Sequence, residues 1–76
     1  MKKAQFLQNL KDELEFEVEL NLSTNLNELD EWDSMSAMVL IGYVSEKFGT
    51  TLTGDNLKQI NSVEALINYI GADKFE

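Results

Sequence analysis

The feature that most constrains this chain is the uncharged stretch SMSAMVLIGYVS, residues 34–45, in a protein that is otherwise strongly acidic. Fourteen Asp and Glu residues against six Lys residues give a net charge of −8. Such a stretch has to be buried as core, used as a contact surface, or both. At 76 residues we expect one domain, 1–76, whose modest core argues against a self-contained enzyme.

Apolar residues at helical spacing predict three main helices. The first runs from Lys2 to about Glu15. The second begins after a cap at Asp33 or Ser34 and continues to Phe48, where Gly49 supplies the stop. The last helix follows a cap at Asn61 or Ser62 and ends at Gly71. The apolar positions on which these predictions depend are Phe6, Leu7, Leu10 and Leu14; Leu40, Val44 and Phe48; and Val63, Leu66, Ile67 and Ile70.

The remaining segments are less regular. A short helix is expected after Gly54, carrying Leu57 and Ile60. Residues 15–33 alternate briefly like a strand and then become rich in turn formers, which indicates a long structured loop. Its Leu22, Leu26 and Leu29 should fold back onto the helices. The predicted fold class is all-α: a small four-helix bundle of three main helices and one short helix, with a long loop between helices one and two.

The composition excludes several functions. There is no histidine and no cysteine, so disulfides, thiolate metal sites and a histidine base are absent. We expect no catalytic residues and no metal site. The negative charge disfavours nucleic acid and anionic lipid as partners. No apolar run is long enough to span a bilayer, so we expect no membrane insertion and a cytoplasmic location.

Ser34 stands at the predicted start of helix two, where exposed N–H groups and the helix dipole favour an anion. No lysine lies near it in sequence, so it lacks a base that would make it a nucleophile within this chain. The position suits a serine that another enzyme modifies with a phosphate ester. The simpler interpretation is that Ser34 only caps the helix.

The motif DSM at 33–35, the apolar helix ending in EKFG, and the segment TLTGDNLKQINSVEALINYI together resemble the acyl carrier proteins. The resemblance implies a non-catalytic carrier in which Ser34 receives 4′-phosphopantetheine from coenzyme A. A Mg²⁺-dependent phosphopantetheinyl transferase would add this arm, and its thiol would carry acyl groups as thioesters. The implied partners are that transferase and the acyl-loading and biosynthetic enzymes, with the carrier itself a monomer.

The resemblance also assigns roles to residues around Ser34. Asp33 and Met35 belong to the motif that the transferase recognises. Helix two lacks the row of acids usual in carriers of primary fatty acid synthesis, so docking should depend on Met35, Met38 and Val39. Trp32 is expected to be partly buried. An acyl pocket is expected among helices two, three and four, shallow and suited to short or polar cargo; its residues are Ile41, Val44, Leu57, Ile60 and Leu66.

Three alternatives stay open. The carrier serves either fatty acid synthesis or a specialised polyketide, secondary-metabolite or lipid pathway. In the second alternative the chain is a peptidyl or aminoacyl carrier, which would use the same arm. In the third alternative the chain is an unmodified helical module that binds a partner protein through helix two, with Ser34 as a cap only.

Overall fold

The computed structural model describes all residues, 1–76, and it is all-helical. The four helices are α1 (Lys3–Leu14), α2 (Ser34–Phe48), α3 (Gly54–Gln59) and α4 (Val63–Ile70). Two single turns of 3-10 helix lie at Leu26–Glu28 and Ala72–Lys74. The predicted fold class is therefore confirmed: a small bundle of three longer helices and one short helix. No helix combines the length and the apolar character needed to cross a bilayer.

The helix ends follow from local chemistry. Asp33 caps α2 and Ser62 caps α4, each through a side-chain oxygen that accepts a backbone N–H. Thr53 and Asn56 form a reciprocal capping box that starts the short α3. Gly49 ends α2 in the left-handed conformation, with φ of 66°. These caps place each helix start within one residue of its predicted position.

Helix α1 ends without glycine. Glu15 takes the left-handed conformation, with φ of 57°. The N–H of Phe16 then donates to the Lys11 carbonyl at 3.0 Å, which closes the last turn. Phe16 is buried directly after this turn, and its burial favours a conformation that a side chain otherwise disfavours.

The core contains no charged side chain, and its one hydroxyl, that of Tyr43, accepts a hydrogen bond from the Asn9 amide at 3.2 Å. Its fully buried members come from three helices and are Phe6 and Leu10 of α1, Leu40 and Val44 of α2, and Val63, Leu66 and Ile67 of α4. An aromatic group extends the core at one end, where the Phe6 ring lies 5.0 Å from Phe75 and 5.8 Å from Phe48 between centroids. No buried polar side-chain atom lacks a hydrogen-bond partner. Packing of the helices therefore supplies most of the stability.

The long loop, residues 15–33, packs on the helices as predicted. Leu26 is buried, and Leu22 and Leu29 are partly buried against the core. The carbonyls of Leu22 and Thr24 accept the N–H groups of Glu64 and Val63 at 2.9 and 3.0 Å. These donors belong to the first turn of α4, where the helix itself offers no acceptor. The loop thus completes the N-terminus of α4.

Candidate functional site

Ser34 is the first residue of α2, and its side chain is exposed. The residue before it, Asp33, has an extended backbone and forms the cap: its Oδ1 accepts the N–H of Ser36 at 2.8 Å. Since Asp33 does the capping, the hydroxyl of Ser34 is not needed for it. Of the two caps left open by the sequence, the structure selects Asp33.

Asp33 has an electrostatic environment that favours its ionised form. Its pKa lies below the ordinary value, chiefly because the backbone N–H of Ser36 donates to the ionised form. A carboxylate at the N-terminus of a helix is also favoured by the helix dipole. A lowered pKa makes Asp33 a weak base, so it is poorly suited to activate the neighbouring Ser34.

A groove runs beside Ser34 between α2, α3 and the long loop, with a volume of about 560 Å³. We call it the arm-side groove. Its apolar lining is formed by Trp32, Ala37, Met38, Ile41 and Leu57, and its polar lining includes Asn27, Ser34 and Lys58. Lys58 is the only cation among the lining residues, and Asp33 is the only carboxylate.

The groove contains part of the predicted acyl pocket. Ile41 and Leu57 line it, whereas Val44, Ile60 and Leu66 do not. These three are buried in the core, with Val44 and Leu66 fully inaccessible to solvent. All three belong to the apolar core cluster, and none of them lines a cavity in this structure.

A second groove lies between α2 and the end of α1, with a volume of about 270 Å³. We call it the acidic groove. Met35 and Val39 line it together with Leu14 and Phe16, and four carboxylate residues complete it: Glu13, Glu15, Glu31 and Asp33. The recognition residues predicted on α2 are thus divided between two grooves, with Met35 and Val39 in this one and Met38 in the arm-side groove.

The two methionines are the most exposed large apolar side chains of the chain, Met35 at 74% and Met38 at 71%. Val39 is half-buried. Trp32 is also half-buried and packs against the core, as predicted. Exposed methionine is adaptable to partners of different shape. This exposure is consistent with a contact surface on α2.

Asn27 is a site residue that sequence reasoning did not identify. Its side-chain amide donates to the carbonyls of Leu57 and Ile60 at 3.1 and 3.2 Å. The amide therefore fixes the long loop to the end of α3, where carbonyls lack helical partners. In the sequence Asn27 is one of several turn-favouring residues in its segment, and its distance of 33 residues from Ile60 gives no local signal.

An exposed serine at a helix start, without a base beside it, is better suited to modification by another enzyme than to catalysis. A model of the family described as phosphopantetheine attachment site matches residues 4–70. The chain belongs to this family, which confirms the resemblance to acyl carrier proteins. Searches of curated proteins and of solved structures gave no significant match.

Membership of this family establishes the general role of the chain. The domains of this family are attachment sites for covalently bound 4′-phosphopantetheine and act as carriers without catalysis of their own. They work with partner enzymes. The residues present fit this group: the exposed hydroxyl of Ser34 offers an oxygen for a phosphodiester, and the adjoining groove combines apolar surface with polar groups.

Proposed function

We propose that Ser34 is the attachment residue and that the protein presents acyl groups to partner enzymes of fatty acid synthesis or of a specialised polyketide, secondary-metabolite or lipid pathway. The observation that carries the proposal is the exposed position of Ser34 at the start of α2, next to a carboxylate that already caps the helix. Its hydroxyl is accessible to a modifying enzyme without any change in the helix.

The modification is a phosphoryl transfer in which the Ser34 oxygen attacks the phosphorus next to the pantetheine of coenzyme A. The P–O bond of the diphosphate breaks, a Ser–O–P bond forms, and adenosine 3′,5′-bisphosphate leaves. The hydroxyl proton passes to a base of the transferase, because this chain has no histidine and its nearest carboxylate, Asp33, has a lowered pKa. No electrons are exchanged.

Once attached, the arm supplies a thiol on which acyl groups are carried as thioesters. The chain contains no cysteine, so no side-chain thiol of its own competes for the cargo. Trp32, Met38 and Ile41 offer apolar surface beside Ser34 on which the arm and a short cargo can rest. Lys58 adds one positive charge to the groove and offsets the carboxylate of Asp33, which lines it as well.

Two alternatives differ in what the carrier holds or whether it is modified. A peptidyl or aminoacyl carrier would use the same Ser34 and the same groove, and only the loading enzyme would differ. An unmodified helical module would instead use the exposed Met35 and Met38 to bind a partner protein. The match to a phosphopantetheine attachment family favours modification.

The test is the intact mass of the protein after incubation with coenzyme A, Mg²⁺ and a broad-specificity phosphopantetheinyl transferase. We expect one phosphopantetheine per chain in the unaltered protein and none in Ser34→Ala. Ser45→Ala is the matched control, because Ser45 is an exposed serine on the same helix that lines neither groove, and it should be modified normally. Addition that persists in Ser34→Ala would contradict the assignment of Ser34.

A further inference from the structure

The first turn of α2 contains two serines in different surroundings. Ser34 is exposed and lines the arm-side groove. Ser36 is half-buried and lines the acidic groove. An α-helix turns by about 100° per residue, so positions two residues apart lie on different faces of α2. The less accessible hydroxyl, that of Ser36, is the one that contacts the rest of the chain.

Ser36 is bonded to the residues that precede Ser34 through both its backbone and its side chain. Its N–H donates to Asp33 Oδ1 at 2.8 Å, and its hydroxyl donates to the carbonyl of Glu31 at 3.4 Å. The Asp33 carboxylate is a second acceptor for this hydroxyl, because the pKa of Asp33 is lowered chiefly by the backbone N–H of Ser36 and further by its side chain. Ser36 therefore holds the chain on the N-terminal side of Ser34 at two points.

The carbonyl that Ser36 binds belongs to the end of the long loop, which is fixed at further points. Glu31 Oε2 accepts the N–H of Glu17 at 3.2 Å, and the N–H of Trp32 donates to the Leu29 carbonyl at 3.1 Å. The third residue of a helix is often Glu or Gln, whose side chain returns to the cap. Here a serine occupies that position and reaches two residues beyond the cap instead. Its hydroxyl thus ties the loop end to the first turn of α2.

We propose that Ser36 is a positioning residue for attachment of the arm: its hydroxyl holds the loop end against α2, so that the Ser34 oxygen is presented in one orientation. The inference rests on the proposed modification of Ser34 and adds what orients that oxygen. Phosphoryl transfer requires the attacking and leaving oxygens to lie roughly in line. A misplaced nucleophile therefore slows the reaction even when the two proteins still bind. Ser36 does not contact the reacting atoms and acts through the backbone of residues 31–34.

Steady-state kinetics of arm transfer test this role. Ser36→Ala removes the hydroxyl and keeps the N–H that Asp33 accepts, and alanine is the better helix former, so the fold should persist. With coenzyme A and Mg²⁺ saturating and the carrier varied, we expect kcat to fall by about threefold or more, with the KM for the carrier within about twofold. A destabilised carrier would behave differently, because fewer folded molecules raise the apparent KM and leave kcat unchanged.

A second pair of variants isolates the hydroxyl from the shape of the side chain. Ser36→Thr keeps the donor and Ser36→Val lacks it, although the two side chains are alike in shape, so kcat should be higher for the threonine variant. Ser45→Ala is the control for loss of a serine on α2 and should leave kcat unchanged. Amide hydrogen exchange measures the loop directly: the N–H of Trp32 should exchange faster in Ser36→Ala than in Ser45→Ala.

The outcomes separate this inference from the function on which it rests. No mass addition to the unaltered protein, or addition that persists in Ser34→Ala, would overturn the proposed function. Addition at Ser34 with an unchanged kcat in Ser36→Ala would overturn the positioning role alone, and so would a rise in KM without a fall in kcat. Equal kcat values for Ser36→Thr and Ser36→Val would overturn it as well, even if the alanine variant failed to fold.

Discussion

Asn27 is expected to hold the long loop in its folded position. Its amide makes two hydrogen bonds to carbonyls at the end of α3, and it also lines the arm-side groove. Asn27→Ala removes both bonds. A hydrogen bond contributes a net 0.5 to 1.5 kcal/mol as a rough central range, and Asn27 is exposed, so we expect a loss of about 1 to 2 kcal/mol in the free energy of unfolding.

Asn27→Asp replaces the donating amide with a carboxylate at the same position. At neutral pH the carboxylate cannot donate, and it faces two carbonyl oxygens, so the loss should be at least as large as in the alanine variant. The same repulsion raises the pKa of the introduced carboxyl in the folded state. Stability should therefore be recovered in part as the pH falls through that pKa, because the protonated acid can donate one hydrogen bond.

Urea unfolding followed by circular dichroism and by the fluorescence of Trp32, the only tryptophan, measures these changes. In a domain of this size 1 kcal/mol corresponds to roughly 4 to 8 °C in Tm. Asn68→Ala is the matched control: Asn68 is exposed on α4, and alanine there should leave stability unchanged or slightly higher. An Asn27→Ala protein as stable as Asn68→Ala would refute the role assigned to the amide.

Three further predictions follow from single residues. Leu66→Ala, at a fully buried position, should lower the free energy of unfolding by about 2 to 5 kcal/mol in urea titrations, and a smaller loss would mean that the core collapses around it. Because the pKa of Asp33 is lowered from 3.8, the stability that its ionised form contributes is present above that value and is lost as the pH falls through the folded pKa. Asp33→Asn caps the helix equally well, so the stability of that variant should depend less on pH below about pH 4. An identical pH profile in the two proteins would argue against a role for the Asp33 charge. Attachment of the arm should change Trp32 fluorescence in the unaltered protein but not in Ser34→Ala, and equal spectra before and after attachment would place the arm outside this groove.

The helices could be predicted from sequence because their signals are local. A cap, a run of apolar residues at helical spacing and a terminal glycine mark both α2 and α4 within a short stretch of sequence, and only the choice between two neighbouring caps was left to the structure. The candidate attachment residue was found in the same way, since a serine at a helix start and the surrounding motif are both short-range features. Their interpretation required no knowledge of tertiary contacts.

The acyl pocket and the loop contacts could not be predicted in this way. Whether Val44 and Leu66 line a cavity or close it depends on how α2 and α4 approach each other, which periodicity does not specify. Asn27 and Phe75 illustrate the same limit, because each acts through partners far away in sequence: the α3 carbonyls for Asn27, and the ring of Phe6 for Phe75. The division of Met35 and Met38 between two grooves also depends on the neighbouring elements.

The long loop explains why a domain this small contains so extended a connection. It is fixed to α4 through the carbonyls of Leu22 and Thr24 and to α3 through Asn27. From these anchors it supplies Trp32 to the arm-side groove and Glu31 to the acidic groove. A shorter connection between α1 and α2 would leave Ser34 at a bare helix end, with neither groove completed. The loop is therefore a part of the site, and changes that release its anchors should affect recognition of Ser34 before they affect the helices themselves.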